Sequence, residues 1–151
     1  MLLHRVASGH TQRWSRGGRQ LNQGETWSID IPAGTSSGRV WGRTGCSFGG
    51  SGRGSCQTGD CGGALSCSLS GQPPLTIAEF TLNGWNNLDS INLSVIDGFN
   101  VPMQFSSTSN GCNVVLNCRE SSCPDAYQNP SENEKVHSCP DGTNYRVVFC
   151  P

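Results

Sequence analysis

Charge is scarce in this chain: charged residues make up 14% of 151, and the two signs nearly cancel to a net −1. A near-neutral chain lacks the basic surface that holds nucleic acid or an anionic membrane, so neither is expected as a partner. No apolar run approaches the roughly 20 residues of a spanning helix. Lysine and glutamate are sparse, and no Cys-x-x-Cys pair occurs. The three histidines, His4, His10 and His137, stand apart from one another. Zinc sites favour tight cysteine pairs with histidines nearby, so no metal is expected, and no cofactor either.

What the chain has instead is turn formers and cysteine. Twenty glycines and eight prolines weaken or break helices, because Gly has no Cβ to restrain it and Pro lacks an N–H. Short strands joined by loops fit that composition. With a hydrophobic fraction of only 34%, few of those strands bury enough apolar surface unaided. Nine cysteines, at 46, 56, 61, 67, 112, 118, 123, 139 and 150, supply cross-links, each contributing about 2–4 kcal/mol. Such density belongs to an oxidising compartment, so a secreted protein is expected. An odd count in a secreted chain leaves one cysteine to explain.

Alternating apolar and polar residues predict strands over 26–31, around Val40-Trp41, over 75–82, 91–96, 101–105 and 145–150. In the best of them, Leu75, Ile77 and Glu79 share one face and Ala78, Phe80 and Leu82 the other. Residues 45–63 read as a Gly/Ser/Cys loop. Residues 106–144 show little periodicity, and residues 1–20 show no β-alternation.

The run Gly52-Arg53-Gly54-Ser55-Cys56-Gln57-Thr58-Gly59-Asp60-Cys61-Gly62-Gly63-Ala64-Leu65-Ser66-Cys67 resembles the signature of the thaumatin-like family of plant defence proteins. The resemblance extends through Trp41-Gly42-Arg43-Thr44-Gly45-Cys46, Ile77-Ala78-Glu79-Phe80 and Asp97-Gly98-Phe99-Asn100. It continues in Cys123-Pro124-Asp125-Ala126-Tyr127 and in the C-terminal block from Gly142 to Pro151. It implies an all-β fold, a flattened β-sandwich or barrel of about ten strands. The second, cysteine-rich loop domain of the long family form is missing before Cys123, which resembles the short, ten-cysteine form. Spacing and resemblance agree on Cys46–Cys56 and Cys61–Cys67; resemblance adds Cys112–Cys139 and Cys118–Cys123. The family partner of Cys150 lies in a first strand near the N-terminus that this chain does not show, so Cys150 is expected to be unpaired.

Codons for residues 2–11 can be chosen so that the frame one base later spells Cys-Tyr-Thr-Val-Trp-Pro-Val-Ala-Thr. That is similar to the family's first strand, cysteine included. Residues 1–16 are therefore read as an atypical leader, out of frame or disordered, ahead of a single short-form domain over 17–151.

Family members carry a cleft of one arginine, one glutamate and three aspartates, implied to bind β-1,3-glucan. Matched position by position, these are Arg43, Glu79, Asn92 in place of one aspartate, Asp97 and Asp125. A glycosidase needs two carboxyl groups in different protonation states, and an amide at Asn92 cannot take a proton, though it hydrogen-bonds sugar hydroxyls. Binding is therefore expected over catalysis. Asn92-Leu93-Ser94 is also a candidate N-glycosylation sequon, poorly placed on a strand. Trp85 and Tyr127 have faces suited to sugar rings. The resemblance implies a secreted, monomeric antifungal protein that binds β-1,3-glucan of fungal walls. Its alternatives are an inhibitor of microbial glycoside hydrolases, xylanases in particular, and a weak endo-β-1,3-glucanase.

Overall fold

The computed structural model describes residues 2–7 and 17–151. Strands β1 (Leu2–Ala7), β2 (Gly17–Gln20), β3 (Gly38–Arg43), β6 (Ile77–Thr81), β7 (Leu88–Ser94), β10 (Ala126–Tyr127) and β11 (His137–Pro140) form one sheet. Its order is β10-β7-β6-β3-β1-β2, with β11 also pairing β7. A second sheet orders β12 (Tyr145–Phe149), β8 (Met103–Ser107) and β9 (Val115–Cys118), and β4 (Ser47–Phe48) pairs β5 (Gly54–Ser55) in a small hairpin. The expected all-β sandwich is what forms, and its sheets do not close into a barrel. The helical content among the described residues is two single 3-10 turns, Trp85–Asn87 and Asn133–Lys135.

Period-2 alternation divides the large sheet's side chains between two cores. Val40, Ala78, Phe80, Ile91 and Leu93 meet Met103, Phe105, Leu116 and Phe149 of the smaller sheet in the main core. On the opposite face Trp41 and Ile77 form a second core with Leu75 and the Cys61–Cys67 bridge. All four expected disulfides are present: Cys46–Cys56, Cys61–Cys67, Cys112–Cys139 and Cys118–Cys123. Cys150 is exposed just past β12, its N–H donating to the Pro102 carbonyl.

Several expectations shift. Residues 26–31 form no strand: Trp27 and Ile31 pack on the main core while Ile29 faces solvent, and no neighbouring strand offers them a ladder. The low-periodicity stretch 106–144 holds β9, β10 and β11, strands of four, two and four residues. Segments that short carry too few side chains to reveal a period. Within the leader, Leu2–Ala7 is a strand rather than disordered, because the slot between β2 and β3 pairs backbone groups whatever the side chains. Residues 1 and 8–16 of that leader lie outside the described residues.

Candidate functional site

The signature loop is organised by Asp60, whose carboxylate accepts the N–H groups of Cys56 and Gly63, each at 2.9 Å. Gly54 is required by close approach: a Cβ there would meet the Ser47 carbonyl oxygen at 1.9 Å. The loop roofs the second core, and the Trp41 indole N–H donates to the Gly59 carbonyl at 3.0 Å. Arg43 lies under the same roof, fully buried. Its guanidinium forks onto the carbonyls of Ala64 and Leu65, both at 2.6 Å, and stacks on Phe48 with 5.0 Å to the ring centroid. Burial pushes its pKa down to about 10, partly countered by the charge of Asp60. That value keeps Arg43 charged at neutral pH.

Arg43 is thus held under the loop, away from Glu79, Asn92 and Asp97. The arginine beside those groups is Arg39, two strand repeats earlier on the same face of β3, about 14 Å away along the strand. Arg39 is the register partner of Glu79, and Glu79 is the partner of Asn92. The three form a polar row across β3, β6 and β7. Arg39 Nε lies 3.4 Å from Glu79 Oε1, and its Nη2 lies 3.2 Å from Asp97 Oδ2. The Asn92 amide donates to Glu79 Oε2 at 2.9 Å. The side chains of Arg39, Glu79 and Asp97 are 21%, 34% and 41% exposed, so the row is open to solvent.

Asp125 stands beside this row without joining its contacts. It precedes the Ala126–Leu93 pair of β10 and β7, and its carboxylate accepts the Asn117 N–H at 2.8 Å. Tyr127 follows at the edge of the row. Burial raises its hydroxyl pKa, and the charges of Glu134, Glu79 and Glu132 add to that. Asp89 is buried and structural, accepting the Asn83 N–H and the Tyr145 hydroxyl. Two larger concavities, of about 510 and 1380 Å³, include none of Arg39, Glu79, Asn92 or Asp97. The row is open to solvent, and its groups can accept and donate hydrogen bonds to whatever lies across it.

A family model described as the thaumatin family matches residues 4–121. The chain belongs to the thaumatin family. A thaumatin-like protein of Oryza sativa subsp. japonica is 64% identical over 135 residues, covering 89% of this chain and 73% of that protein. Thaumatin-like pathogenesis-related protein 4 of Avena sativa is 57% identical, over 89% of this chain and 75% of its own length. Among solved structures, the thaumatin-like xylanase inhibitor TLXI is 33% identical with a TM-score of 0.75, covering 99% of this chain and 93% of that one.

In this thaumatin-family chain, strand register marks Arg39 in the sequence. It sits an even number of residues from Trp41 and Arg43, hence on their face, and opposite Glu79 once β3 and β6 are paired. The bond from Asn92 Nδ2 to Glu79 uses the nitrogen that would carry a glycan, so a glycan there would leave a single N–H for the Glu79 contact. The same bond makes Asn92→Asp informative. Two carboxylates would then face each other at hydrogen-bond distance, and one of them must hold a proton. An acid whose folded pKa is raised loses stability as pH rises from its unfolded value through its folded one. The variant should match wild type near pH 4 and be about 1–2 kcal/mol less stable at pH 7. Thermal unfolding at the two pH values checks this; an equal difference from wild type at both would refute it.

Proposed function

We propose that this protein is a secreted plant defence protein that recognises β-1,3-glucan of fungal walls through the Arg39–Glu79–Asn92 row and Asp97. The observation that carries the reading is the row itself. It is an open line of one guanidinium, one carboxylate and one amide across three adjacent strands, joined by the Asp97 carboxylate from the turn after β7, and held by ion pairs and hydrogen bonds. Fixed donors and acceptors suit a neutral, hydroxyl-rich ligand, because little ordering is left for binding to impose. Its pathogenesis-related relatives support the defence role.

Binding suits the row better than hydrolysis. Glu79 is ion-paired with Arg39 and accepts from Asn92, and a glycosidase needs one carboxyl group that donates a proton and a second that serves as base or nucleophile. The second carboxylate, Asp97, is ion-paired to the same guanidinium that holds Glu79, so the two are tied to one arginine rather than set apart across a scissile bond. Co-sedimentation with insoluble β-1,3-glucan tests the reading. Arg39→Ala and Glu79→Gln should each weaken binding about tenfold, the loss of one charged hydrogen-bonding group, while Arg146→Ala on exposed β12 should leave it unchanged. Laminarin should release no reducing ends above a blank. Wild-type affinity in both row variants would discard the proposal.

The similarity to TLXI favours one second reading, inhibition of a microbial glycoside hydrolase. A xylanase inhibition assay on the same preparations separates it from glucan binding.

A further inference from the structure

The strands that carry Glu79 and Asn92, β6 and β7, run on from the glucan-binding row to the turn that joins them, and that turn presents an uncovered tryptophan. Trp85 is 88% exposed, against 60% or less for the other exposed large apolar residues described. The turn that holds it is fixed. Asn83, Asn86 and Asn87 adopt left-handed φ values of 46°, 62° and 56°, a region that asparagine tolerates better than most residues. The Asn83 N–H donates to Asp89 at 2.8 Å and the Gly84 N–H to the Leu88 carbonyl at 2.8 Å. The Asp141 N–H donates to the Asn87 carbonyl at 3.3 Å, tying the turn to the segment after β11. A conformation that disfavours ordinary side chains, held by bonds to two neighbouring segments, displays one large aromatic ring to water.

Between this ring and the row lie polar groups. Thr81 pairs with Ser90 one strand repeat beyond the Glu79–Asn92 pair, so both lie on the face of the row, half-buried. Six residues separate Glu79 from Trp85, a reach of at most about 20 Å. The chain neighbours of Trp85 are Asn83, Gly84, Asn86 and Asn87 rather than the apolar side chains that a protein-docking surface would place around such an anchor. An isolated aromatic face beside hydroxyl and amide groups matches a pyranose, whose C–H face is attracted to the negative face of an indole while its hydroxyls find hydrogen-bond partners.

We propose that Trp85 is a stacking platform for a sugar ring, extending the glucan site along β6–β7 past Thr81 and Ser90 so that longer oligosaccharides bind more tightly than short ones. The proposal rests on the glucan reading above. Its test is calorimetric titration of wild type, Trp85→Ala, Trp85→Phe and Glu79→Gln with laminaritriose and laminarihexaose. Wild type should bind the hexaose at least about tenfold more tightly than the triose. Trp85→Ala should lose that gain while keeping triose affinity, Trp85→Phe should retain most of it, and Glu79→Gln should lose affinity for both. Equal hexaose affinity in wild type and Trp85→Ala overturns the platform while leaving the row intact. Absence of wild-type binding to either sugar overturns the glucan reading itself. Loss of xylanase inhibition in Trp85→Ala, with its glucan titration unchanged, assigns the ring to a protein partner and overturns the platform too.

Discussion

Arg43→Ala is expected to destabilise the fold by about 3–5 kcal/mol, as removing one partner of a buried charged network does. The guanidinium is fully buried and satisfies the Ala64 and Leu65 carbonyls of the signature loop. Truncation strands both acceptors and opens a void beneath Phe48. Arg43 Nε has no hydrogen-bond partner, so the fork to the two carbonyls, with the charge of Asp60 and the Phe48 ring, compensates the buried charge. Arg43→Lys keeps the charge but cannot fork, and should lose an intermediate amount. Denaturant unfolding of both variants measures this, with the lysine variant as the reserve if the alanine variant does not fold. Stability within about 1 kcal/mol of wild type for Arg43→Ala would show that the loop does not depend on it. Arg39→Ala should behave in the opposite way. Its ion pairs are partly exposed, so it should cost under about 1 kcal/mol of stability and act on glucan binding instead.

That contrast shows which parts of the structure were legible beforehand. Local patterns were: Asp60 and the glycines of the signature loop sit where short-range turns and amide bonds need them, and of the four disulfides two follow from spacing with resemblance and two from resemblance alone. The faces of β6 were legible too, because Ala78 and Phe80 turn to the main core while Ile77, Glu79 and Thr81 share the other face. Resemblance pointed to Arg43, which follows Trp41-Gly42, while Arg39 lies on the same face of the same strand. What distinguishes them is the loop of residues 59–65 folding over Arg43 alone, a tertiary fact. Residues 26–31 alternate like a strand, but alternation records burial rather than pairing, and no partner strand lies beside them. Ala126–Tyr127 joins β7 through a parallel register that two residues cannot announce.

Asp89→Ala is expected to be of similar severity to Arg43→Ala, about 3–4 kcal/mol, for a different reason. Asp89 is 1% exposed and joins two parts of the molecule. One carboxylate oxygen accepts the Asn83 N–H of the β6–β7 turn at 2.8 Å, and the other accepts the Tyr145 hydroxyl of β12 at 2.7 Å. Burial, with the Asp89 hydrogen bond second, pushes the Tyr145 hydroxyl pKa well up, so the phenol remains a donor throughout the working range. Removing the carboxylate leaves two donors without an acceptor, each costing about 1–3 kcal/mol if shut off from water. Tyr145→Phe removes one donor and its need together, and should cost only about 1 kcal/mol. The double variant separates a shared bond from two independent losses. If Asp89 bridges the sheets, Asp89→Ala with Tyr145→Phe should be more stable than the sum of the singles by about 1 kcal/mol or more, since the stranded hydroxyl is gone. Strict additivity would mean that Asp89 serves the turn alone. The large sheet would then be held to β12 by apolar contact without this polar link.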